Sequence, residues 1–146
     1  MLMASFLLHF LGLIWLIALA ICDIRSGKLP NLLTVNGTIV GLIVHAFNHN
    51  IGACLAGISL GYGSLFLVNL CYQAWRKRPG LGSGDAKMLA MLGCWLGPTL
   101  VLPILAWGSI LSCLYAATHL IWQQQIPKQM PFGPFLAAAT CILTMP

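Results

Sequence analysis

The sequence predicts an all-α polytopic membrane protein, a bundle of about six transmembrane helices with both termini periplasmic. Three observations carry that expectation. Of 146 residues, 60% are hydrophobic and only 6% are charged, against about 25% charged in a soluble globular domain. The apolar residues gather into six runs, and a helix needs roughly 20 such residues to cross the hydrocarbon core. All seven Lys and Arg fall on alternate connections between those runs, which assigns these connections to the cytoplasm. A disordered chain, which needs low hydrophobicity and high charge, is excluded.

In order, Met1 to Cys22 is free of charge. No Lys or Arg precedes the apolar stretch, and no cleavage site of small residues closes it, so it reads as an uncleaved first span. Leu32 to Phe47 is a second, shorter run and Ile51 to Trp75 a third. Ala86 to Gly97 is a fourth, short unless it tilts, packs within protein or continues past Pro98. Thr99 to Trp122 is a fifth, interrupted by Pro103, and Phe132 to Pro146 a sixth, again short. Arg25 and Lys28 lie on the first connection, Arg76, Lys77 and Arg78 on the third with Lys87 just beyond, and Lys128 on the fifth. The turn Asn48-His49-Asn50 and the break at Gly97-Pro98 carry no Lys or Arg. A miscounted span would destroy this alternation. The whole of residues 1–146 then forms a single membrane-embedded domain.

Several chemistries find no support in this pattern. The net charge of +5 is spread over short clusters between apolar runs, unlike a nucleic-acid footprint. Cys22, Cys54, Cys71, Cys94, Cys113 and Cys141 are dispersed and never form a Cys-x-x-Cys pair, so a zinc site or redox dithiol is not expected and the thiols read as inert. His9, His45, His49 and His119 cannot form a His-Glu-x-x-His motif in a chain without glutamate. No Walker-type phosphate loop and no inverted repeat is present, and neither metal nor cofactor is expected.

The two acidic residues of the chain are Asp23 and Asp85. The orientation above puts both on the cytoplasmic side, Asp23 after the first span and Asp85 before the fourth. Read plainly, one is an interfacial charge and the other the N-cap of a helix starting at Ala86. A chain that has discarded every other acid, yet keeps two on one face at the mouths of separate helices, points instead to function, because ionisable groups at membrane depth are costly. Gly82 and Gly84 before Asp85 allow close backbone approach and positive φ. Pro30 and Asn31 end the first connection, with Asn31 capping the second span. Lys87 is placed to hold a substrate carbonyl or to act on Asp85, or simply snorkels to the interface. Two converging carboxylates suit an aspartic-protease dyad sharing one proton; a weak divalent-cation site and a proton-coupled transporter compete with that reading.

The stretch from Asp23 through Pro30-Asn31 to Leu33-Thr34 resembles the first aspartate motif of the type IV prepilin peptidases. Gly80-Leu-Gly82-Ser-Gly84-Asp85-Ala-Lys87, with Leu92-Gly93 and Trp95-Leu96-Gly97 beyond it, is similar to their Gly-x-Gly-Asp motif and its helix. Pro131-Phe132-Gly133-Pro134-Phe135 is similar to their C-terminal segment. The resemblance covers essentially the whole chain. It implies an aspartic endopeptidase of the bacterial inner membrane that removes the basic leader of prepilins or pseudopilins at the cytoplasmic face, cutting after a Gly that precedes a hydrophobic helix. On the matching positions, Asp23 and Asp85 are the catalytic pair, Gly82 and Gly84 shape the turn before Asp85, and Pro134 packs the sixth span near the site. Longer members carry an N-terminal, cysteine-paired segment linked to methylating the new N-terminus. This chain starts close to the first aspartate helix and has no Cys-x-x-Cys, so peptidase activity without N-methyltransferase activity is expected. The implied partners are the prepilin substrates and the lipid bilayer, with the basic connections serving as orientation signals and contacts to anionic lipid. A presenilin-like protease also uses Gly-x-Gly-Asp, but Asp23 is not in a Tyr-Asp pair and no Pro-Ala-Leu follows Asp85. A small transporter or an inactive assembly subunit is the non-enzymatic alternative.

Overall fold

The computed structural model describes residues 12, 14–23, 31–47, 51–77, 82–123 and 132–144. Among these, six helices account for nearly everything: α1 (Ile14–Asp23), α2 (Asn31–Phe47), α3 (Ile51–Arg76), α4 (Ser83–Leu96), α5 (Pro98–Gln123) and α6 (Gly133–Thr144). The expected runs appear in the expected order, the first from residue 14 on, with residues 1–11 and 13 of that run outside those described. The chain divides into two compact units, one of residues 29–103 and one of residues 1–28 with 104–146, the division falling inside α5 at Pro103.

Three points bear on the sequence reading, the first and third as differences. The fourth helix begins at Ser83 rather than Ala86, so Asp85 lies inside the first turn and is not the N-cap. Gly82 takes the cap position in an extended conformation (φ −66°, ψ 135°). At its other end α4 does not run past Pro98: Gly97 turns to φ 82° and donates its N–H to the Gly93 carbonyl, and Pro98 opens α5, a position that suits a residue without an N–H. Third, α5 is not interrupted at Pro103 but continues through it; the one helical bond a proline removes is tolerated within a long apolar helix. The expected caps from Pro30 and the Asn31 side chain lie outside the described residues.

The unit of residues 29–103 is organised around α4. Ala86 and the run Met88 to Cys94 of this helix are buried, with Lys87 half-buried between them, which answers how a 14-residue helix of about 21 Å exists in an apolar setting: it packs in protein. Its main partner is α3, which buries Cys54, Gly57, Gly61 and Leu65, a stripe at helical spacing that contains Gly-x-x-x-Gly. Small residues at that spacing let two helix backbones approach closely. Gly57 lies against the backbone of Gly93, and Gly61 against Leu89 and Ala90, so closely that neither has room for a Cβ. On the α2 side, the Trp95 indole donates its N–H to the Gly37 carbonyl at 2.9 Å, and Gly41 receives the Trp95 ring. This approach corrects the reading of six inert thiols: Cys54 and Cys94, 40 residues apart in sequence, are joined by a disulfide.

In the other unit, α1 buries Leu16, Leu19 and Asp23, and α6 buries Gly133, Leu136, Ala137, Ala139 and Thr140. Gly108 of α5 faces the Leu136 side chain, and the rings of Tyr115 and Phe135 meet at 5.5 Å, tilted by 49°, the offset geometry that aromatic quadrupoles favour. Two helices, α3 and α5, are long and apolar enough to cross a membrane (mean hydropathy 1.8 and 1.9), yet only 22% and 17% of their most apolar stretches are buried. A soluble protein hides such helices in its core. Here Phe66, Leu67, Leu70, Leu102, Leu114 and Ile121 point outward, as they do when lipid is the solvent.

The glycine seam gives a direct test. Gly57→Ala sets a methyl group against the Gly93 carbonyl, backbone that cannot turn aside, and is expected to destabilise by about 1–3 kcal/mol. Gly63→Ala, where nothing lies within 4 Å of the added Cβ, is expected to leave stability unchanged or slightly raised. Thermal unfolding of the detergent-purified protein, followed by helical circular dichroism, separates them; equal midpoints for the two variants would refute the seam.

Candidate active site

Asp23 is the last residue of α1 and is buried, with 4% of its surface exposed. An ionisable side chain so enclosed needs a hydrogen-bond partner. It has one: the backbone N–H of Gly133 donates to Oδ2 at 3.1 Å. The partner comes from how α6 begins. A helix start leaves its first N–H groups without intrahelical acceptors. In α6, Phe135 and Leu136 both donate to the Phe132 carbonyl, and Pro134 has no N–H to satisfy. The orphan that remains is Gly133, and it points at Asp23. The carboxylate therefore meets both a donor and the positive end of the α6 dipole.

Gly133 must be glycine for a second reason. A Cβ at this position would sit 2.5 Å from Asp23 Oδ2, which real Cβ contacts do not reach. Sequence reasoning named Pro134 and missed Gly133. The signal was in Pro131-Phe132-Gly133-Pro134: a proline one residue into a helix removes an orphan N–H and leaves its neighbour's as the free donor. Pro134 is half-buried in the first turn of α6, and its contribution is the missing N–H as much as packing.

Asp85 is the third residue of α4 and half-buried. Its N–H donates to the Gly82 carbonyl at 3.2 Å, and an acid in the first helical turn is favoured by the dipole. Gly82, Gly84 and Lys87 share that end of α4 with it. Glycine is not required there for positive φ: Gly82 is extended, and the one described glycine with positive φ is Gly97. Nor is space the reason, since a Cβ there would meet Asp85 Oδ2 at 3.5 Å, an ordinary van der Waals contact. Pro30 lies outside the described residues, and Asn31 opens α2.

Thus Asp23 is brought together with Gly133 and Pro134 in one unit, and Asp85 with Gly82, Gly84 and Lys87 in the other. Among the described residues, the cluster with metal-ligand chemistry is His45 with Cys54 and Cys94, which includes neither acid.

Comparison with known proteins gives the family. The model of the type IV leader peptidase family matches residues 10–117, a stretch that contains both aspartates. Curated relatives named prepilin leader peptidase/N-methyltransferase include those of Dichelobacter nodosus, 37% identical over 126 residues, and Pseudomonas putida, 35% identical over 140. A third, from Xanthomonas campestris pv. campestris, is 33% identical over 128 residues. The three alignments cover 85%, 92% and 86% of this chain but 43%, 48% and 45% of the relatives, so the chain spans less than half the length of the proteins it matches. No solved structure matches it. With its family model covering most of the chain and both acid-bearing motifs, this protein belongs to the type IV leader peptidase family.

Proposed function

We propose that the chain is an aspartic endopeptidase that removes the basic leader of type IV prepilins or pseudopilins at the cytoplasmic face of the bacterial inner membrane. The observation that carries the proposal is the placement of the chain's two acids, each at a helix end beside a family motif. The topology is the one the basic residues dictate: six spans, both termini periplasmic, both aspartates cytoplasmic, with residues 1–146 acting as one domain. A leader is basic and cytoplasmic, and its junction with the hydrophobic helix lies at the membrane surface, the level of both acids in that topology.

In the proposed chemistry Asp23 and Asp85 act as a pair sharing one proton, because close carboxylates do not both ionise. The ionised member takes a proton from a water whose oxygen attacks the scissile carbonyl carbon. The protonated member donates a hydrogen bond to the carbonyl oxygen as it gains negative charge. When the tetrahedral intermediate collapses, the C–N bond breaks, the leaving nitrogen is protonated by the dyad, and the carboxyl product departs. The proton belongs to the pair rather than to either residue. Gly133 fixes one oxygen of Asp23, and Lys87, two residues after Asp85, is available to bind a substrate carbonyl. The methyl transfer that also appears in the relatives' names is assigned to no residue of this chain.

Two sets of variants test the proposal, each assayed by cleavage of a prepilin in membranes. Asp23→Asn and Asp85→Asn keep the side-chain volume and remove the acid–base function, and each is expected to lower the cleavage rate by at least ~10³-fold, within the range general acid–base catalysis supplies. Full processing by either variant rules out the dyad. Gly133→Ala displaces the Asp23 carboxyl and is expected to lower kcat about 10–100-fold, as sub-ångström to ångström misplacement of a catalytic group does. Ala138→Val on the exposed side of α6 serves as its control. If Gly133→Ala and Ala138→Val cleave at the same rate, Gly133 does not position Asp23.

A further inference from the structure

The α3–α4 hairpin is tied at both of its ends. At one end the chain itself joins Arg76 to Ser83 through the connection that leads into Gly-x-Gly-Asp. At the other end Cys54, one turn into α3, is bonded to Cys94, in the last turn of α4. Both cysteines have no exposed surface, and the glycine seam lies between the two ties. The connections nearest this disulfide, Asn48-His49-Asn50 and Gly97-Pro98, carry no Lys or Arg. By the positive-inside rule they face away from the cytoplasm, opposite Asp85, from which Cys94 is separated by nine residues of helix, about 13 Å. In bacteria the compartment on that side is the one in which disulfides form and persist.

We propose that Cys54–Cys94 is a structural cross-link made on the periplasmic side of the membrane, which clamps α4 to α3 and so holds the helix that presents Asp85. The placement rests on the membrane topology given under the proposed function; the existence of the bond does not. In the step that makes it, the two thiols lose two protons and two electrons, one sulfur–sulfur bond forms, and a disulfide-class oxidant of the periplasm is reduced to its dithiol by thiol–disulfide exchange. Because both sulfurs are buried in the packed hairpin, the exchange takes place as the helices insert, before the seam closes. Cys22, Cys71, Cys113 and Cys141 stay as thiols. His45 stands beside the pair, one of its ring nitrogens and the two sulfurs all within 4.8 Å of one another, with Nδ1 against the Gly41 carbonyl at 3.0 Å. An imidazole with two thiolates is also a ligand set for a soft or borderline metal ion, but sulfurs bonded to each other do not ligate as thiolates, so the cross-link and a metal site exclude one another.

Thiol counting decides the matter. The full chain in native membranes is denatured in SDS with a polyethylene-glycol maleimide, with and without prior reduction, and the adducts are counted by gel shift. Four adducts before reduction and six after are expected, five in both conditions for Cys94→Ala, and six before reduction in cells lacking periplasmic thiol oxidants. Six adducts from unreduced wild type overturn the cross-link, the more so if zinc co-purifies in stoichiometric amount. A reductant-dependent gain of two that survives in Cys94→Ala overturns this pairing, and four adducts in oxidant-deficient cells overturn the periplasmic placement. The prepilin assay reads out separately: cleavage by a chain with six free thiols sinks the cross-link and leaves the peptidase intact, whereas no cleavage by a chain with four and six does the reverse.

Discussion

The contact on which much of this chain depends is the one between the backbones of Gly57 and Gly93, where two helices meet with no side chain between them. A 14-residue helix cannot reach across a hydrocarbon core of about 30 Å, and an isolated one would leave its terminal carbonyls and N–H groups in lipid at a cost of several kcal/mol each. The seam removes that difficulty by seating α4 against α3, so that Ala86 and Met88 to Cys94 are surrounded by protein. Shortness then becomes useful. The helix that carries Asp85 in its first turn is seated against a neighbouring 26-residue helix, and its position is set by packing rather than by the bilayer.

A second constraint shapes the surroundings of Asp23. A buried carboxyl is tolerated only where donors replace the water it has lost, and this chain supplies one without using a charged side chain. The start of α6 is arranged so that two of its early N–H groups converge on the Phe132 carbonyl, proline removes a third, and Gly133 is left to the acid. Asp85, in the first turn of α4, occupies the equivalent electrostatic position at the positive end of its own helix. Each unit thus places its acid at a helix N-terminus. Backbone dipoles of this kind are fixed in direction and do not have to reorganise as charge develops, as the proposed proton exchange at these carboxyls requires.

The sequence reported the fold unevenly, for physical reasons. Hydrophobic runs and alternating basic connections report on solvent and orientation, and they yielded all six helices in order, with ends displaced by at most a few residues among those described. The start of α4 was placed late because Asp is a strong cap former and draws the boundary to itself, while Gly82, which caps by backbone shape alone, does not. The disulfide was invisible because pairing depends on a seam that joins residues 40 apart; spacing rules for cysteines detect local ligand sets and not helix contacts. The acids themselves were legible from scarcity, since a chain with two carboxyl side chains offers few candidates. Gly133 was not, because a glycine announces that a Cβ is forbidden without saying what forbids it.

Scarcity of charge also explains why positioning in this protein falls to glycine and proline. Where a soluble enzyme surrounds its carboxyls with arginines and lysines, a chain that is 6% charged has to build donors from the main chain. Main-chain donors become free only at helix ends, and they come within reach of a carboxyl only where no side chain intervenes. Glycine meets the second condition and proline helps meet the first by deleting competitors. Glycines accordingly adjoin both acids: Gly82 and Gly84 precede Asp85 in the chain, and Gly133 lies against Asp23. At Gly133 one methyl group bears directly on where an Asp23 oxygen sits, so sensitivity to Gly→Ala there follows from meeting that buried carboxyl with a backbone donor.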